Sequence, residues 1–115
     1  MRHAALPLAL ALAACSGETP VDTAGYAEYT KAGECYRAAM VAEWASRHDP
    51  DLADEQAPAK VALEAARNRH YAAAKRLGMS ERAIADDTPS LSNDDFGREV
   101  AGGNYLNVQA GCPKP

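Results

Sequence analysis

Pro58-Ala59-Lys60-Val61-Ala62-Leu63-Glu64-Ala65-Ala66-Arg67-Asn68-Arg69-His70-Tyr71-Ala72-Ala73-Ala74-Lys75-Arg76-Leu77 holds the cleanest pattern in the chain. Ala59, Ala66 and Ala73 recur every seven residues, and so do Leu63, His70 and Leu77, which draws one stripe along a helix. Lys60, Glu64, Arg67, Asn68, Tyr71 and Lys75 cover the opposite side. Pro58 suits a first turn, where an amide proton has no helical partner to lose. Gly78 suits the position at the end, and Lys75 and Arg76 complement the negative end of the helix dipole. The stretch predicts an amphipathic helix, helix B, from Pro58 to Leu77.

On the N-terminal side, Asp49-Pro50 interrupts the chain, because a residue before proline resists the α conformation. Asp51 to Gln56 is acidic and predicts a turn of helix. Before it, Tyr26, Tyr29, Gly33, Tyr36, Met40 and Trp44 recur at helical spacing, with Ala32 and Ala39 widening the face and Cys35 at its edge. Lys31, Glu34 and Arg37 point elsewhere, and Glu43 intrudes on the apolar side. Helix A is expected from a cap at Asp22 or Thr23 to about Ser46, with Arg47 and His48 at the end where positive charge is favoured.

On the C-terminal side, Ser80 can cap a short helix from Glu81 to Asp86, and Thr88-Pro89-Ser90 reads as a turn. Ser92 with Asp95 three residues on resembles a capping box, Asp replacing the usual Glu. A last helix follows. Gly102-Gly103 costs it about 2 kcal/mol of propensity against two alanines. The apolar face also changes there, from Phe96 and Val100 to Ala101, Tyr105, Val108 and Cys112. A kink or break is expected at the glycines. Short connections favour antiparallel neighbours, so the expected fold is all-α: a small bundle of three main helices plus a short one.

The first residues belong to a different system. Arg2 and His3 precede an apolar run from Ala4 to Ala14, far shorter than the ~20 residues of a membrane-spanning helix. The run ends in Leu12-Ala13-Ala14-Cys15, which resembles the lipobox of bacterial lipoproteins. That resemblance implies removal of residues 1–14 and acylation of Cys15, which becomes the contact with the lipid bilayer. Ser16, rather than Asp, after the cysteine implies the outer membrane, facing the periplasm. The competing reading is an ordinary secretory signal. Residues 15–22, with Gly17 and Pro20, then read as a flexible tether, and 23–115 as one helical domain of modest core. Loss of Arg2 takes Lys+Arg from 12 to 11 against 16 acids. That mild acidity argues against nucleic acid or an anionic lipid surface as partner. Alanine abundance favours helix, because alanine loses no side-chain entropy there.

Three cysteines are present. With Cys15 assigned to lipid, Cys35 and Cys112 remain as a pair in a compartment that permits disulfides. The bond would staple the last helix to the first and close most of the domain into one loop. Two buried free thiols are the alternative. There is no C-x-x-C pair for redox work or haem attachment.

His70 lies on the apolar seam of helix B. It can be a ligand or general base in a pocket with Tyr29, Tyr36 and Trp44, or a core histidine hydrogen-bonded to a tyrosine or carboxylate; the second is the simpler reading. His48, Asp49 and Asp51 fail the spacing of a calcium loop. Asp86-Asp87 and Asp94-Asp95 read as solvated turn and helix-start residues rather than paired catalytic acids. No nucleophile elbow, zinc-protease, dinucleotide or phosphate-loop pattern occurs, so no catalytic residue, metal or cofactor is expected. The expected function is a membrane-anchored interaction module that meets an envelope protein or cell-wall material. The alternatives are a small-ligand binder or enzyme around His70, and an immunity or inhibitor-type protein.

Overall fold

The computed structural model describes residues 22–115; the leader, Cys15 and the tether up to residue 21 lie outside the described residues. Among the described residues, five α-helices and one 3-10 segment follow in order: α1 (Thr23–His48), the 3-10 segment (Pro50–Glu55), α2 (Gln56–Arg76), α3 (Glu81–Asp87), α4 (Asn93–Gly102) and α5 (Asn104–Ala110). The described residues contain no strand, and the fold is the expected all-α bundle.

The ends of the helices follow from local chemistry. The Asp22 side chain accepts a hydrogen bond from the Gly25 amide and so caps α1. Asp49 stops it in an extended conformation, with φ of −110° and ψ of 112°, as the proline that follows demands. The helix reaches His48, two residues past the expected end, so both basic residues lie inside the last turn. Helix α2 begins at Gln56, two residues earlier than expected. The 3-10 segment runs straight into it, and the Gln56 amide already has a partner in the Ala53 carbonyl, so no side-chain cap is needed. Pro58 still falls in the first turn, where its missing donor costs nothing.

At the far end of α2, Gly78 adopts φ of +79°. Its amide bonds to the Lys75 carbonyl and the Met79 amide to the Ala74 carbonyl, the paired closure that a left-handed residue permits. Ser80 caps α3 and Ser92 caps α4, the latter through a complete reciprocal box with Asp95. The expected last helix is two. Gly103 takes φ of +75° and separates α4 from α5.

Helices α1 and α2 form an antiparallel pair. Tyr29 packs on Ala73 and Ala74 together with Ile84 of α3, and Tyr36 packs on Ala66 with Ala39. Leu63 and Leu77 flank these clusters, so the seam of helix B is the buried seam. The small alanines let the two backbones approach closely. Each also buries little apolar area, so the hydrophobic stabilisation per contact is modest.

Helix α1 is more central than its sequence pattern indicates. Besides the tyrosine face, it buries Ala38, Val41 and Ala45, on the side where Tyr105 and Val108 of α5 share a hollow with Ala38 and Val41. Trp44 and Phe96 stack with centroids 5.6 Å apart, Arg37 Nη2 meets Glu99 Oε1 at 2.6 Å, and Cys35 is bonded to Cys112 with Cα atoms 5.8 Å apart. Neither α4 nor α5 contains a fully buried residue. The disulfide is therefore the strongest tie between this C-terminal segment and α1. Glu43, which intrudes on the apolar side of α1, is neutralised by Arg47 at 2.6 Å one turn on.

Candidate functional site

His70 projects from the buried seam of α2 toward α1 and is only 3% exposed. Its ring stacks on Tyr29 with centroids 5.0 Å apart and leans on Tyr36 at 5.5 Å. Three of the four expected pocket residues therefore meet. Trp44 does not join them. It lies eight residues beyond Tyr36, about 12 Å along the helix axis. There it is sandwiched between His48, centroids 3.9 Å apart, and Phe96, with its indole N–H donated to Asn93 Oδ1 at 3.3 Å. Helical periodicity placed Trp44 on the correct face but could not say which neighbour arrives at that level.

Tyr26, on the same expected face, is 62% exposed. Helix α1 overruns its partner here: Arg76, the last residue of α2, pairs with Glu28, so nothing from α2 reaches the first turn.

The polar partner expected for His70 has gone elsewhere. The Tyr29 hydroxyl donates to the Asp87 carboxylate, and Tyr36 Oη accepts from Arg67 Nε at 3.4 Å. Among the described residues no hydrogen bond reaches the His70 ring, and no side-chain nitrogen or oxygen is both sealed and unpartnered. The ring nitrogens thus keep an opening to solvent. That opening is a depression of about 290 Å³ whose lining includes Tyr26, Tyr29, Gly33, Glu34, His70 and Asp87.

Gly33 faces the Cδ2–Nε2 edge of the ring. A Cβ placed on it would sit 3.5 Å from Cδ2 and 3.6 Å from Nε2, which is ordinary van der Waals contact. Packing therefore does not require glycine here, although glycine inside a helix costs about 0.5–1 kcal/mol against alanine. Gly33 lines the depression beside this histidine edge.

The electrostatics agree with this geometry. Burial lowers the His70 pKa below its ordinary value, and the nearby Asp87 charge only partly opposes it, so the ring is neutral at pH 7. Burial, the hydrogen bond to Asp87 and that same charge push the Tyr29 hydroxyl up to about 12, so it remains a donor. Arg37, which also lines the depression, is matched by Glu99.

Asp87 was legible in the sequence only as a turn residue. Its role depends on α3 folding back over α1. The other acidic clusters do local work. Asp49 Oδ1 accepts from the Asp51 amide at 2.9 Å, and the His48 Nδ1–H donates to the Trp44 carbonyl at 2.8 Å. Asp95 is held below its usual range, first by the Ser92 backbone amide of the capping box and then by the Ser92 side chain and Arg98.

On the opposite side of the bundle, two adjoining hollows of about 330 and 400 Å³ lie between α2 and α5 and share Ala62, Leu106 and Gln109. Leu106 is 58% exposed between them. Among the described residues, no helix is long and apolar enough to cross a membrane, and no group of three or more His, Cys, Asp or Glu residues is placed to hold a metal ion. Comparison of the chain with protein-family models, curated proteins and solved structures returns no match.

Proposed function

We propose that this chain is an exported lipoprotein: a disulfide-stapled helical module tethered through acylated Cys15 to the outer membrane and facing the periplasm, where it binds an envelope partner. The observation that carries the reading is the Cys35–Cys112 bond. Such bonds persist in oxidising compartments, and this one uses two of the three cysteines. Cys15 is the one left over, and it stands in the lipobox-like sequence. Each buried acyl methylene contributes about 0.8 kcal/mol, so several chains anchor the domain stably. The tether of residues 16–22 spans at most about 25 Å when extended, which holds the N-terminal end of α1 close to the surface.

The test is the mass of the mature N-terminus. A diacylated or triacylated Cys15, and release of a water-soluble form by Cys15→Ser, are the expected results. An exported form that keeps residues 1–14, or begins without fatty chains, would overturn the address. Crosslinking in intact cells from the bundle surface then identifies the partner.

The depression at His70 favours a second reading beside partner binding, a small-ligand site. A buried histidine that reaches solvent beside Tyr29 and Asp87 is a concave apolar site with convergent polar groups, at the lower end of the usual size range. Saturable, ligand-dependent shifts of the His70 ring resonances would establish it.

A further inference from the structure

We propose that the Gly33 depression is a binding site for a small organic ammonium ion, held by the carboxylates of Glu34 and Asp87 beside the Tyr26 ring, with the Nε2 edge of His70 at its floor. The proposal rests on the small-ligand reading above and names the ligand's chemistry.

The rings come first. Tyr26, 62% exposed, is the lining aromatic with open ring surface, since Tyr29 and His70 are stacked on each other, and an aromatic face attracts cations through its quadrupole, more strongly when the cation is partly desolvated. Charge comes next. Glu34 and Asp87 both line the depression, and, among the described residues, the one cationic residue in the lining, Arg37, is already bonded to Glu99 through Nε at 3.1 Å and Nη2 at 2.6 Å. The uncompensated charge facing the hollow is negative. Asp87 receives one hydrogen bond from Tyr29, and a carboxylate has acceptor sites for more.

The floor selects further. His70 is 3% exposed, has no hydrogen-bond partner among the described residues, and turns its Nε2 edge toward the gap above Gly33. In its Nδ1–H tautomer the neutral ring presents the Nε2 lone pair at this edge, which accepts from an ammonium N–H. An anion would meet two carboxylates, with Arg37 already engaged by Glu99, and a neutral alcohol would leave the carboxylates unmatched. Finally, the opening is maintained at a cost to the helix. Alanine at position 33 would pack without strain and would favour the helix, so the glycine serves the opening.

The test uses the full chain with its disulfide intact and follows the ring resonances of His70 and Tyr29. Titration with n-butylammonium is expected to give saturable shifts, with n-butanol and butyrate at least roughly tenfold weaker. Gly33→Ala is expected to weaken butylammonium roughly tenfold while leaving the melting temperature unchanged or raised. Asp87→Asn keeps an acceptor for the Tyr29 hydroxyl and is expected to reduce the preference for ammonium over butanol, with Glu34 retaining the remainder. Equal shifts from the cation and the alcohol would overturn the ammonium assignment while leaving the pocket standing. No saturable shift with any of the three probes would overturn the pocket with it. Unchanged affinity in the folded Gly33→Ala protein would overturn access past Gly33.

Discussion

Removing the Cys35–Cys112 bond, by reduction or by Cys35→Ala with Cys112→Ala, is the sharpest test of how this bundle is held together. The bond joins residues 77 apart. The chain-entropy relation assigns closure of such a loop about 4.5 kcal/mol of destabilisation of the unfolded chain. A domain of this size has a total stability of only about 5–15 kcal/mol, so loss of the bond is expected to lower unfolding free energy by roughly 2–4.5 kcal/mol. The melting temperature should then fall by roughly 10–30 °C.

The loss should also be uneven. Helix α5 has seven residues and none fully buried, well below the length at which an isolated helix persists. The α1–α2 pair keeps its alanine seam regardless of the bond. Denaturant unfolding of the oxidised, reduced and double-alanine forms gives the total. Amide exchange resolved by helix gives the order of loss. Amides of 104–110 should exchange first, followed by exposure of the α1 face at Ala38, Val41 and Ala45. A difference below about 1 kcal/mol, or loss of α1–α2 protection before that of α5, would refute the account of the disulfide as the main tie.

Further outcomes follow from particular groups. Because burial lowers the His70 pKa, the unfolded chain takes up that proton more readily than the folded one. This part of the stability is fully present above about pH 6.5 and is lost as pH falls through the lower folded value, and the pH dependence in this window should flatten in His70→Gln. Tyr29 works in the other direction. Its pKa is raised to about 12, so its contribution is complete below pH ~10 and fades as pH climbs to about 12; Tyr29→Phe should remove that alkaline limb, read by circular dichroism against pH. Gly103→Ala should cost about 1–2 kcal/mol because φ is +75° there. Gly97→Ala, inside α4 with open space at its Cβ position, should instead stabilise by about 0.5–1 kcal/mol, and denaturant midpoints of the two variants separate the cases.

Much of the architecture was written locally. The cap at Asp22, the Asp49-Pro50 stop, the Ser92–Asp95 box and the left-handed closures at Gly78 and Gly103 are each decided by a few neighbouring residues, because a cap or a breaker acts within one turn. The seam of α2 was equally legible, since a stripe at helical spacing must be buried by something.

Only the tertiary structure decided which levels of which helices meet. It set Tyr29 and Tyr36 against His70 while sending Trp44 to Phe96. It left Tyr26 uncovered because α1 outruns α2, and it gave α1 a second buried face under α4 and α5. Above all it brought Asp87 to Tyr29 across 58 positions of chain and set Gly33 over the open edge of His70. Periodicity fixes the direction of a side chain about its own axis. The translation of one helix along another is a sum of many weak contacts, and no short stretch of residues encodes it.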